Sequence, residues 1–173
     1  MAENKPELAG DESLRIIDAR NAWLMDSMMH DVTRRGTAAS GTARLKRSDL
    51  AGKTGTTNDY IDAWFCGYQP SLVAVAWIGF DQPRRLGDGE TGATAALPIW
   101  VGYMEKALTG IPESFQNFPE GLTQINVADP SGKQTRDYIY SEQVPGDFDV
   151  ADEVRQAPAP VRDAKIKPVE AGH

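Results

Sequence analysis

The chain has 173 residues, enough for one domain, and 40% of them are hydrophobic, enough for a core if the whole length takes part. Its net charge of −7 argues against a phosphate-binding surface, because nucleic-acid binders cluster Lys and Arg, so nucleic acid is excluded as a partner. Cys66 is the only cysteine, and His30 and His173 are the only histidines, which leaves no internal disulfide, no paired zinc motif and no expected cofactor.

The opening "MAENKPELAGDE" is polar and acidic, so no cleavable signal peptide is expected in this chain. Asp18 is a candidate N-cap. Ala22, Met25, Met28, Met29 and Val32 follow at helical spacing until Gly36, which predicts a helix over 19–35 with one buried face. In "RRGTA", Arg34 and Arg35 fall at its C-terminus, where cations offset the helix dipole. His30 lies on this helix with no acid–base partner in view and reads as a surface or packing residue.

The segment "GTAASGTARLKRSD" reads as a small-residue loop leading to an extended stretch at 49–57. Two apolar runs follow, "AWFCGY" and "SLVAVAWIGF", separated by a Pro-Ser turn. Together these predict three consecutive antiparallel strands between Asp49 and Phe80. The second run is far short of the ~20 residues a membrane helix needs, so no membrane segment is expected. Strand aromatics usually face a core, so Trp64, Phe65 and Tyr68 read as core residues with a groove as the rival assignment. Cys66 reads as a small buried hydrophobe, and Asn58 and Asp62 as side chains that order the hairpin loop.

A glycine-rich loop, "RRLGDGETGATA", precedes a predicted helix in "LPIWVGYMEKAL", where Pro98 is tolerated in the first turn and Trp100, Met104 and Leu108 share a face. "GLTQINVADPSGK" alternates like an edge strand near the sheet. The expected organisation is a domain piece at 14–110, a trailing loop and edge-strand segment at 111–144, and a disordered tail at 145–173, which is poor in hydrophobic residues and without period.

Two glycine-rich stretches invite three chemical readings. "AGKTGTT" contains Gly-Lys-Thr, but a phosphate loop requires a glycine where Arg47 stands and a helix starting at the lysine, which Gly55 opposes. "GDGETG" fits G-x-G-x-x-G, yet "DQPRRL" separates it from the strand and Asp88 and Glu90 carry the wrong sign for phosphate, so a turn is the better reading. The third reading is Lys53-Thr54-Gly55 on a strand, a triplet that accompanies S-x-x-K and S-D-N in penicillin-binding proteins and serine β-lactamases.

The context sharpens that reading. "LAGKTGTTNDYIDAWFCGYQPSLVAVAWIGFDQPRRLG" followed by "ETGATAALPIWVGYM" resembles the C-terminal part of the transpeptidase domain of class A, 1A-type penicillin-binding proteins, from about "NAWLMDSMMHDVTRRGTA" to Met104. The resemblance implies an α+β fold: part of the transpeptidase domain shared with serine β-lactamases, a three-stranded antiparallel sheet packed by helices. It also implies a parent protein at the inner membrane facing the periplasm. Its partners would be the peptidoglycan stem peptide ending in D-Ala-D-Ala and β-lactams.

A peptide ending in a free carboxylate needs positive charge and short hydroxyl donors, and a glycine lets it lie close to an edge strand. By resemblance, Lys53 assists near the nucleophile, Thr54, Gly55, Thr56 and Thr57 bind substrate, and the Thr56 N–H supplies half of an oxyanion hole. Strand alternation places Lys53 on the face opposite Thr54 and Thr56, which conflicts with a shared task. No serine in the sequence precedes a lysine by three positions, and no Ser-x-Asn occurs, so the chain alone is expected to be inactive. The alternative is a non-catalytic module that binds a peptide or partner through the same strand.

Overall fold

The structure, a computed structural model, describes residues 16–128, 132 and 134–144. The expected tail at 145–173 lies outside the described residues. The chain divides between Gln116 and Asn117 into two compact units.

The first unit begins with helix α1, Ala19–Arg34. Asp18 caps it as expected, accepting the Arg20 backbone N–H at 2.8 Å. The buried side differs from the expected apolar stripe. Val32 packs on the core, but Met25 and Met28 are exposed, while Asp26, His30 and Thr33 face inward, where they meet polar backbone and a tyrosine. Arg34 donates to the Ser48 carbonyl at 2.6 Å, and Arg35 pairs with Asp31.

The expected small-residue loop is in part helical. It holds a single turn, α2 at Ala39–Thr42, continued by a 3₁₀ turn at Ala43–Leu45. Tertiary contacts override weak local preference here: Ala38 is fully buried, and the Thr42 hydroxyl donates to the Thr33 and Ala38 carbonyls.

Strands β1 (Ala51–Thr56), β2 (Ala63–Gln69) and β3 (Leu72–Ile78) form the expected antiparallel sheet in the order β1-β2-β3. Helix α3, Leu97–Ala107, packs on one face of it. Trp100, Met104 and Leu108 are buried there with Phe65, Leu97 and Val101. The Trp100 ring meets Phe65 edge-on at 4.9 Å, and its Nε1–H donates to the Ala74 carbonyl at 3.0 Å. Gly67 is required beneath that ring, since a Cβ there would lie 2.6 Å from it.

Of the β2 aromatics only Phe65 belongs to this core. Trp64, Val73, Val75 and Trp77 stand on the opposite face and are exposed. Cys66 is also exposed, a correction to its expected burial. The reason is the two-residue period of a strand: with Phe65 and Gly67 turned inward, Cys66 must point outward.

In the second unit, β4 (Leu122–Ala128) pairs antiparallel with β5 (Gln134–Tyr140). The segment "GLTQINVA" is therefore a strand, but it joins a separate two-stranded sheet rather than the edge of the first. Among the described residues no helix is long and apolar enough to cross a membrane.

Candidate functional site

β1 lies at an edge of its sheet, with β2 on one side only. Thr54 and Thr56 stand opposite Phe65 and Ala63, and Lys53 opposite Cys66, as strand alternation requires. The lysine overcomes that separation by its length. Its Nζ folds over to the Thr54 carbonyl at 2.9 Å and the Thr54 hydroxyl at 3.4 Å. Among the described residues no carboxylate pairs with Lys53. A Cβ on Gly55 would lie 3.2 Å from the Trp64 Cβ, so the strand is also slim at this point.

The two remaining threonines are held differently. The Thr56 hydroxyl accepts the Gly92 backbone N–H at 3.0 Å, which leaves its own proton free to donate. Thr57 is turned into the hairpin loop, where its hydroxyl accepts the Asp62 N–H at 2.7 Å. The Asp62 side chain, expected to order the loop, instead reaches β3, where it accepts Trp77 Nε1–H at 2.9 Å. Asp59 and Tyr60 both adopt left-handed backbone, φ 60 and 55, a strained pair for non-glycine residues. Contacts from the next loop hold them there: Leu86 N–H donates to the Tyr60 carbonyl at 2.8 Å, and Arg85 to the Asp59 carbonyl.

The "GDGETG" segment is a turn. Gly87 and Gly89 have positive φ, and Thr91 caps the following helical segment through a reciprocal bond with Thr94. Gly92 ends it in direct contact with the sheet backbone.

Two groups escaped the sequence reading. Thr37, from the turn after α1, places its hydroxyl 3.3 Å from that of Thr54. Behind the strand, His30 does have partners: its Nδ1 donates to the Leu50 carbonyl at 2.7 Å, and its Nε2 lies 3.3 Å from Asp26 Oδ2. Tyr68 donates to the other Asp26 oxygen at 2.6 Å, and Thr33 adds a second donor to the Leu50 carbonyl. The network ties α1 to β2 and to the residue just before β1. Only the i, i+4 spacing of Asp26 and His30 hinted at it.

The hydrogen bond from His30 holds the Asp26 carboxyl below the ordinary carboxylate range against the opposing effect of burial, and the bond from Tyr68 adds to it. Burial, reinforced by Asp26, pushes the Tyr68 phenol upward. A depressed folded-state value means that the stabilisation is present above about pH 4, the ordinary carboxylate value, and is lost as pH falls through the lower folded value. Urea midpoints of wild type and Asp26→Asn should therefore differ at neutral pH and converge in acid. A gap that is independent of pH would contradict this.

Two cavities of about 430 and 450 Å³ flank the α2 turn near Glu113, and neither includes a residue of β1. The candidate site is thus an open strand edge with convergent donors, suited to an extended peptide with an anionic end. Among the described residues no group of three His, Cys, Asp or Glu side chains is placed to hold a metal ion.

Comparison with known proteins identifies the family. Residues 10–97 match the family model described as the penicillin binding protein transpeptidase domain. Penicillin-binding protein 1A of Neisseria cinerea is 41% identical over 99% of this chain, and that of Pseudomonas aeruginosa 50% identical over 69%. The matches span 24% and 14% of those relatives' lengths. The crystal structure of penicillin-binding protein 1A from Haemophilus influenzae superposes with a TM-score of 0.67 at 33% identity, covering 76% of this chain and 22% of that one.

Proposed function

Because the chain belongs to the penicillin-binding protein transpeptidase family, we propose that it carries the substrate-binding strand of a peptidoglycan D,D-transpeptidase. A stem peptide ending in D-Ala-D-Ala, or a β-lactam in its place, lies antiparallel along the free edge of β1. Lys53 supplies positive charge, the Thr54 and Thr56 hydroxyls bind the terminal carboxylate, and Gly55 lets the peptide approach. The N–H of Thr56 faces the carbonyl under attack as part of an oxyanion hole. The observation that carries this reading is the placement of the Lys53 ammonium on the Thr54 hydroxyl, at an edge that is unpaired and has no competing carboxylate among the described residues.

The parent reaction needs a serine whose oxygen attacks the penultimate D-Ala carbonyl, expels terminal D-Ala and yields the acyl group to an acceptor amine. The 173 residues contain no Ser-x-x-Lys and no Ser-x-Asn, so that serine and its base come from outside this sequence. The parent acts at the inner membrane, facing the periplasm.

Incubation with a fluorescent penicillin followed by denaturing electrophoresis should leave this chain unlabelled. A covalent adduct would overturn its assignment as the binding strand alone. The missing nucleophile also supports a second reading, a non-catalytic module that holds an extended peptide at the same edge. Binding of a capped, non-reactive peptide with no preference for a free D-Ala carboxylate would favour that module.

A further inference from the structure

We infer that Thr37 is a further ligand for the substrate carboxylate, an inference that rests on the reading of β1 given above. The Lys53 ammonium can only donate, so at its 3.4 Å contact the Thr54 hydroxyl oxygen is the acceptor. The Thr54 proton is then available to Thr37 or to a ligand. Across the 3.3 Å contact between the two hydroxyls one proton is used, and the other has no acceptor among the described residues. Lys53 spends two of its three protons on Thr54 and keeps one.

Ammonium and hydroxyl donors thus converge along a chain of contacts at an open edge. Thr37 itself is exposed, and among the described residues the three side chains bond to one another and to the Thr54 carbonyl, with no carboxylate among their partners. A carboxylate, with two oxygens and about four acceptor positions, satisfies this surplus.

The position of Thr37 is built rather than incidental. The turn that presents it is closed by the Gly36 N–H on the Asp31 carbonyl at 2.8 Å and the Ala38 N–H on the Val32 carbonyl at 3.0 Å. Gly36 is packed so closely that a Cβ would lie 2.8 Å from Val32 Cα, and Ala38 is fully buried. These bonds fix the turn, and from it the Thr37 hydroxyl lies 3.3 Å from that of Thr54. Its task is recognition of the free D-alanine carboxylate, which complements Thr54 and Thr56 from the helix side of the strand.

The test is titration of the full chain with N-acetyl-D-alanyl-D-alanine and with its C-terminal amide, followed by amide NMR shifts of residues 37 and 53–56. Wild type should prefer the free acid. Thr37→Val should weaken binding of the acid by about tenfold or more, the effect of losing one hydrogen bond to a charged group, and leave the amide unchanged. Thr37→Ser should retain the acid preference and confirm that the hydroxyl rather than the fold is responsible. If Thr37→Val binds the acid as wild type does while Thr54→Val does not, the assignment of Thr37 is overturned and the reading of β1 stands. If wild type shows no preference for the acid, both are overturned.

Discussion

Replacing Asp49 by alanine should lower the unfolding free energy of the first unit by about 3–5 kcal/mol, the effect of removing one partner from a buried ion pair. Asp49 is fully buried and receives both arms of Arg47, at 2.8 and 2.6 Å, plus the Ser114 backbone N–H at 3.2 Å. Arg47 in turn holds the Ile111 carbonyl at 2.7 Å, and Glu113 takes the Ser48 N–H at 2.8 Å. Asp49→Ala would leave the guanidinium, itself largely buried, without its counter-charge and release residues 111–114 from the start of β1. Urea denaturation measures this. The double variant Arg47→Met, Asp49→Leu should recover much of the loss, since an apolar pair avoids the desolvation cost. A midpoint shift in Asp49→Ala equivalent to under about 1 kcal/mol would refute the account.

Gly92→Ala should have the next largest effect and should reach the site itself. A Cβ at this position would lie 2.3 Å from the Trp64 carbonyl oxygen and 2.7 Å from that of Gly55, both fixed backbone of paired strands. Side-chain adjustment cannot relieve such a contact, so the helical segment must withdraw from the sheet. The cost is expected at or above the upper end of the about 1–3 kcal/mol typical of overpacking. The retreat would also break the Gly92 N–H bond to Thr56. Amide exchange at Gly92 should therefore accelerate, and the shifts of residues 54–56 should move even under conditions where the protein stays folded. Gly89→Ala is the control with open space, although its positive φ of 78 imposes local strain of its own. If Gly92→Ala matched wild type in both stability and exchange, the close approach would be refuted.

Much of the first unit was legible in the residues. A capped amphipathic run, three alternating strands with a Pro-Ser turn, and a helix begun by Leu-Pro are local signals, and each element formed within a few residues of its expected place. The strand carrying Lys53 to Thr56 was readable for the same reason. The side chains around it were less so. Periodicity says that a helix has an inward face but not what it meets there: Val32 packs on the core as expected, but Met25 and Met28 are exposed and Asp26, His30 and Thr33 take inward positions. The α2 turn, too, depends on distant burial and carries no local signature of strength.

By itself the sequence determined the type and order of the elements, the Lys53-Thr54-Gly55 strand, and the family whose motifs surround it, because these depend on neighbours along the chain. The tertiary structure alone decided that Lys53 folds onto Thr54, that Thr37 joins them, that Gly92 orients Thr56, and that Asp49 and Arg47 fasten the chain beyond α3 to the strand's start. These contacts join residues 17 to 65 positions apart, apart from the local turns of Lys53 and Arg47. Such pairings are set by the shape of the packed backbone and by where a buried donor finds its acceptor, and no spacing in the chain encodes either.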